Sequence, residues 1–330
     1  MPRRFIGEMG PGERIEDQVF LIASKDLRTT TTGGLYIHTV LVDRTGQLLA
    51  RVWQATESMF ETLPEGGFMR LKGRTENYKG ALQFIIEAMR PAEAGSFDLA
   101  DFMPRTTQDV EQMWKRCTEI LRGIQHPDLR RLIDKFLTDE KLVARFKTSP
   151  AAVNLHHAFL GGLLEHTLNL LELGLVVIPR YPQLSLDLVL AGLFLHDIGK
   201  TAELDYQTSF GYTDSGQLLG HITLAVLWIE QKCAAVAAET GKPFPHEVKW
   251  LLQHIVLSHH GEYEFGSPKL PSIPEAFAIH HLDNLDAKVA MTLSEIEKDK
   301  DAQARWTNFS RVLETKVYKV DVMKTRGNGK

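Results

Sequence analysis

The period of the hydrophobic pattern changes once along this chain of 330 residues, between Pro91 and Thr107, and that change limits the fold more than any other feature. Before it, apolar residues fall in short stretches that often alternate with polar ones: Val19–Ser24, Leu35–Asp43, Leu48–Trp53, Phe68–Gly73 and Leu82–Met89. Alternation with period two places one set of side chains on one face of a strand. Turn-prone segments at 29–34, 43–46 and 77–80 separate the stretches. After Thr107 the apolar residues recur at helical spacing. Candidate helices run over 108–124, 127–147, 155–178, 185–199, 216–240, 245–260 and 273–299, with prolines such as Pro179, Pro243, Pro245 and Pro274 at their boundaries.

A short helix at about Glu57–Leu63 fits between the third and fourth strands. Five strands with a helix after the third is the order of an OB-fold, a small Greek-key barrel that often binds oligonucleotides. The expected fold class is therefore multidomain: an all-β OB-fold barrel over 1–95, a linker over 96–110, an all-α bundle over 111–300 and an extension over 301–330. Within that extension Val317–Val322 reads as a short strand.

The bundle carries an unusual set of polar residues in apolar surroundings. His196-Asp197 ends the run Leu193-Phe-Leu-His-Asp-Ile-Gly-Lys200. An imidazole and a carboxylate are costly to bury side by side unless something binds them, and a divalent metal is the expected binder. His166 lies within Gly161-Gly-Leu-Leu-Glu-His-Thr167, His221 opens the helix after Gly220, and His259-His260 ends another helix. Asp283 and Asp286 stand three apart, on one helical face. Seven ligands, five histidines and two carboxylates, suit two metal ions bridged by a carboxylate. Asp197 is the expected bridge. His166, His196 and Asp283 complete one site; His221, His259 and His260 complete the other. Imidazole and carboxylate without thiolate favour Mn, Fe, Co or Ni, with Mn the expected ion. Two such ions clamp the attacking and leaving oxygens of a phosphoryl displacement and acidify the attacking water. Lys200, together with Asp197, is the expected catalytic pair, its ammonium reaching a phosphate oxygen.

Any one of these histidines taken alone reads better as a satisfied structural residue. The set does not, because each buried imidazole would need its own partner and Asp197 a cation. His38, His126, His246 and His254 are read as structural or surface residues. His156, His157, His280 and His281 flank the set and are read either as simply packed residues or as supporting or substrate contacts, with His157 the expected substrate contact.

These motifs resemble the HD phosphohydrolase superfamily, whose helical domain binds metal through His…His-Asp…Asp; here that core is His166, His196-Asp197 and Asp283. The additional His221 and His259-His260 look like its binuclear branch. Cyclic-dinucleotide phosphodiesterases in that branch carry Gly-Tyr-Pro soon after the paired histidines. This chain reads His-His-Gly-Glu-Tyr-Glu-Phe-Gly-Ser-Pro-Lys over 259–269 instead. The pattern is more similar to the YhaM-type 3′→5′ exoribonuclease family, which joins an OB-fold to an HD domain. The similarity runs through 156–167, 211–221, 259–269 and 281–288 and covers roughly 15–320. It implies hydrolysis of single-stranded RNA, with single-stranded DNA as a second polymer, from the 3′ end to nucleoside 5′-monophosphates.

Single strands are usually held by stacking aromatics and by basic residues along the backbone. Tyr36, Trp53, Phe68, Tyr78 and Phe84 lie on or beside predicted strands, interleaved with Arg51, Arg70, Lys72, Arg74 and Lys79. Half of these aromatics are expected to fill the barrel. Trp53, Lys72 and Tyr78 are the expected contacts. The first 95 residues hold 12 basic and 12 acidic residues, and the whole chain has a net charge of −4, so any attraction for a polyanion is local.

Two other functions fit parts of the pattern: an HD phosphohydrolase acting on mononucleotides or cyclic nucleotides, and a nucleic-acid-binding protein without catalysis. Two distant cysteines, Cys117 and Cys233, argue against a disulfide framework and fit a reducing cytoplasm. No uninterrupted apolar run reaches 18 residues, so no membrane partner is expected; the pattern leaves room for a homo-oligomer.

Overall fold

The computed structural model describes residues 3–323 apart from 79, 94, 153–156, 158, 206–210, 300, 302 and 322. Lys79 and His156 therefore lie outside the described residues. The chain forms two compact units, one containing residues 1–105 and the other residues 106–204 and 211–330.

The first unit is a closed barrel of five strands: β1 (Arg14–Thr29), β2 (Leu35–Asp43), β3 (Gly46–Trp53), β4 (Phe68–Tyr78) and β5 (Ala81–Pro91). The order around the barrel is β1-β2-β3-β5-β4, with β4 returning to β1. β3 pairs with β5 in parallel through Leu49–Gln83 and its neighbours; the other ladders are antiparallel. Helix α1 (Glu57–Thr62) joins β3 to β4, capped by the Thr56 side chain. This is the strand order and helix position of an OB-fold. Strand β1 is 16 residues long, far beyond the predicted Val19–Ser24. Its register shifts between Ile15 and Gln18 and again between Ile22 and Ser24, and such bulges interrupt the alternation by which a strand is recognised.

Inside the barrel, Phe20 and Phe84 pack with ring centroids 5.9 Å apart, among Ile22, Ile37, Leu41 and Leu71. Phe97 and Phe102, from the segment read as a linker, pack on Phe68 and Val19 as a smaller cluster.

The second unit is helical: α2 (Val110–Leu121), α3 (Pro127–Leu137), α4 (Glu140–Thr148), α5 (Gly162–Val177), α6 (Leu186–Leu195), α7 (Lys200–Glu203), α8 (Asp214–Thr240), α9 (His246–Ser258) and α10 (Pro274–Lys298). Its starts follow capping chemistry. Asp109 accepts from the amides of Glu111 and Gln112, and Ser185 from that of Leu188; losing such a cap costs about 1 kcal/mol. The predicted helix 127–147 is two helices, because the Asp139 side chain accepts from the Leu142 amide at 3.2 Å and starts α4 afresh. The predicted helix 155–178 starts only at Gly162, since His157 and Gly161 hold φ of +50° and +81°.

Helices α5 and α6 lie at the centre of the core. All eight residues from Leu188 to Leu195 are buried. The stretch Gly162–Arg180 is long and apolar enough to cross a membrane by length and composition. The sequence reading missed it because Glu165, His166 and Glu172 interrupt the run; in the structure it packs against α2, α4, α6 and α10 as a core helix. The expected strand at Val317–Val322 is not formed among the described residues. Isolated bridges join Trp306 to Tyr318 and Ser310 to Thr315 there, and Val322 lies outside the described residues.

Candidate functional site

Six helical segments deliver the polar set to one place. His166 sits in the second turn of α5 and is fully buried. The apolar run of α6 carries the chain inward to its end, where His196 and Asp197 form the turn before α7, buried to 0 % and 3 % exposure. Helix α7 then presents Lys200 and Glu203. Helix α8 breaks at Gly220, with φ 72° and ψ 157°, a conformation open essentially only to glycine. That break aims the His221 amide at Glu203. His259 and His260 close α9, and Asp283 and Asp286 stand on successive turns of α10.

The two oxygens of Asp197 face different partners. Oδ2 lies 3.4 Å from His196 Nε2 and 3.9 Å from His166 Nε2. Oδ1 lies 3.5 Å from His221 Nε2 and 3.6 Å from His259 Nε2. Asp283 Oδ1 is 3.2 Å from His166 Nε2, and the His260 ring centroid is 4.3 Å from that of His259. Ligand atoms of His166, His196 and Asp197 gather within 4.8 Å of one another, and so do those of His221, His259 and His260. The seven residues singled out in the sequence thus form one continuous cluster.

Each of the five imidazoles has its Nδ1 against an acceptor. His196 Nδ1 donates to Leu193 O at 2.8 Å, His259 Nδ1 to Val256 O at 2.8 Å and His260 Nδ1 to Phe265 O at 2.8 Å. His166 Nδ1 meets Asp286 Oδ2 at 2.7 Å, and His221 Nδ1 meets Glu203 Oε1 at 3.0 Å. A neutral ring with its proton held at Nδ1 turns the Nε2 lone pair inward; His166, raised by Asp283 and Asp286, gives up a second proton to do so. This is the arrangement by which acceptors behind a ring orient a metal-binding histidine. Nε2 of His196, His221 and His259, with Oδ1 of Asp197, are buried and have no hydrogen-bond partner among the described residues. Buried polar atoms are rarely left so. Ligand atoms about 2.1 Å from a shared ion stand about 3–3.5 Å apart, close to the spacings seen here.

Charge in the cluster is set by the same contacts. Burial works against the Asp197 charge, but Lys200, with Nζ 2.6 Å from Oδ2, and His196 outweigh it and hold the carboxyl well below the usual range. Burial also opposes the charge of Asp283, and the bond to His166 reverses the balance to keep it ionised. His166 is pulled down by burial and raised by Asp283 and Asp286, to about 9. Burial pushes His259 down, and burial with neighbouring His259 pushes His260 down to about 4. At neutral pH the cluster holds ionised carboxylates, with His259 and His260 neutral.

His157 is buried, and its Nε2 lies 2.9 Å from Asp286 Oδ2, so it stands behind His166. His280 donates from Nδ1 to His259 O at 2.9 Å. His126 and His254 hold backbone amides: His126 accepts from Leu129 N at 3.5 Å at the start of α3, and His254 from Ser272 N at 2.9 Å. Sequence reasoning missed Glu203. Its Oε1 takes both the amide and Nδ1 of His221, at 2.9 and 3.0 Å. Asp286 was visible by its spacing from Asp283, but its place behind His166 was not.

In the barrel unit, Tyr36 and Trp53 pair across β2 and β3 with centroids 5.2 Å apart. The Arg51 guanidinium lies 5.4 Å from the Trp53 centroid and 4.9 Å from that of Tyr78. Trp53 and Tyr78 are 42 % and 45 % exposed. Phe84 points into the barrel core, whereas Phe68 lies on the opposite face of its strand and is covered by Phe97 and Phe102. The expected basic face of β4 is largely engaged with acids. Arg70 meets Asp17 at 3.4 Å, Lys72 meets Glu16 at 2.9 Å and Arg74 meets Glu87 at 2.8 Å.

A family model described as HD domain matches residues 163–288. The 3′-5′ exoribonuclease YhaM of Geobacillus sp. (strain WCH70) is 36 % identical over 296 residues, covering 88 % of this chain and 88 % of its own. The protein of the same name from Bacillus subtilis (strain 168) is 34 % identical over 293 residues, covering 88 % and 90 %. This chain belongs to the YhaM family. All seven clustered residues of this YhaM family member fall within the matched HD segment. Among solved structures, the second OB-fold domain of replication protein A from Methanococcus maripaludis is 16 % identical, covering 28 % of this chain and 98 % of that one, with a TM-score of 0.23. PriB from Ralstonia solanacearum is 15 % identical, covering 24 % and 97 %, with a TM-score of 0.22.

Proposed function

We propose that this protein is a divalent-metal-dependent 3′-5′ exoribonuclease, acting on single-stranded RNA and releasing nucleoside 5′-monophosphates. The observation that carries the reading is the division of the Asp197 carboxylate, Oδ2 toward His166 and His196 and Oδ1 toward His221 and His259. Membership of the YhaM family supports the polymer and the direction.

The residues present fit a pair of metal ions. His166, His196, Asp197 and Asp283 would hold one; Asp197, His221, His259 and His260 would hold the other. Mn suits these donors, with Fe, Co and Ni as alternatives. When bound, such ions acidify water for attack on phosphorus and neutralise charge on the departing oxygen. The chain's own groups do the rest. Nδ1 bonds to Leu193, Val256 and Phe265 carbonyls, and to Asp286 and Glu203, hold the five rings in place. Lys200 keeps Asp197 ionised and offers the nearest ammonium to a phosphate oxygen. Trp53, Tyr78 and Tyr36 offer stacking surfaces for bases, with the Arg51 charge beside them.

The test is hydrolysis of RNA and DNA oligomers labelled at either end, with added manganese, by the wild type and Asp197→Ala. The expected result is stepwise loss from the 3′ end of RNA, reduced more than a hundredfold in the variant. Undiminished hydrolysis by Asp197→Ala overturns the metal mechanism.

A further inference from the structure

A cavity of about 510 Å³ lies in the helical unit between α4, α7 and α8. Its size is that of a small-molecule site, which runs to roughly 300–1,000 Å³. None of the seven clustered residues lines it. Helix α8 contributes the Trp228 indole and Lys232; α4 contributes Lys141 and Arg145; Thr201 and Ala202 of α7 form part of the lining.

The charges there do not balance. Lys232 is neutralised by Asp139 at 2.6 Å. Lys141 and Arg145 meet no carboxylate within salt-bridge range among the described residues; Arg145 donates only to the Leu204 carbonyl, at 3.3 Å. Three cations and one acid leave an excess of two positive charges, in a chain whose acidic residues outnumber its basic ones by 42 to 38. A phosphate monoester carries about −1.5 to −2 at neutral pH, and a guanidinium fork matches its oxygens. An indole in the same hollow suits a flat ring. A dianion joined to a flat ring is a nucleoside monophosphate.

We propose that this cavity binds a free nucleoside 5′-monophosphate, its phosphate on Arg145 and Lys141 and its base against Trp228. The choice of ligand rests on the proposed reaction, which releases that class of molecule; the cavity and its charge do not.

The experiment is calorimetric titration of the full chain, stripped of metal by a chelator, with AMP, GMP, CMP and UMP. Adenosine, inorganic phosphate and a 5′-phosphorylated tetranucleotide serve as separate probes. Saturable binding of at least one nucleotide, one per chain, is expected. Adenosine, phosphate and the tetranucleotide should each bind at least tenfold more weakly. Arg145→Glu and Trp228→Phe should each weaken binding, the former at least tenfold, with unchanged thermal melts. His259→Ala, which alters the metal cluster, should bind as the wild type does. No saturable heat from any nucleotide, unchanged binding by Arg145→Glu, loss in His259→Ala, or tighter binding of the tetranucleotide each overturns the proposal. RNA hydrolysis is read separately, so a chain that binds AMP here and hydrolyses nothing refutes the reading of the cluster and not that of the cavity.

Discussion

Glu203 is held with its carboxylate against both the amide and the ring of His221, and burial that would neutralise it is outweighed by those bonds. Glu203→Gln keeps an oxygen for the amide but places a weaker acceptor behind Nδ1. Losing such a partner typically lowers metal affinity or activity about 10–100-fold. Titration of Mn into the stripped variant should show a fall of that size; affinity equal to the wild type would remove Glu203 from the site. The seven clustered residues were legible in the sequence because imidazoles and carboxylates inside apolar helical runs are anomalies. Glu203 was not, because a lone glutamate after Lys-Thr-Ala resembles any helix surface. Its partner is 18 positions away and is reached only through a fold. Lys72 has a partner that the sequence did not show. Alternation placed it correctly on an outward strand face, but no strand pattern reveals the Glu16 carboxylate waiting across the ladder.

At the scale of elements, the break in α8 and the face of β2 and β3 each set a local geometry. Gly220 holds φ 72° and ψ 157°, and the adjoining Gly199 backbone packs so closely that an added Cβ would lie 2.1 Å from the His221 carbonyl oxygen. Gly220→Ala should cost about 1–3 kcal/mol, read as a lower denaturant midpoint together with reduced Mn binding. A variant with wild-type stability would mean that the break is not required. On the barrel, Trp53→Ala should weaken single-stranded RNA binding by about 1–3 kcal/mol, the worth of one stacked base. Lys72→Ala, engaged with Glu16, should change it far less; the opposite order in a fluorescence-anisotropy titration would move the contact face to β4. Sequence periodicity showed that these strands and helices exist. It did not show the bulges of β1 or the interruption at Asp139, because both depend on single hydrogen bonds and register slips rather than on a repeated pattern.

For the whole molecule, the relatives match 88 % of the chain, so their similarity spans the barrel and the bundle alike. The order of the two units was readable from the change of period near Pro91. Chelation is the measurement suited to this scale. A ligand present at a hundred times its dissociation constant stabilises by about 2.7 kcal/mol. Stripping the protein should therefore lower the melting temperature of the helical unit by several degrees, and manganese should restore it. A melt indifferent to chelator would leave the cluster without an ion to bind.

The inward-facing lone pairs of His196, His221 and His259 have one further effect. Without a guest these nitrogens are polar atoms stranded in the middle of the bundle, each costing stability that a bound ion would return. Durability in the cell should then follow the supply of that guest: a cell starved of it would clear this polypeptide faster, and so lose the activity twice, first by vacancy and then by turnover.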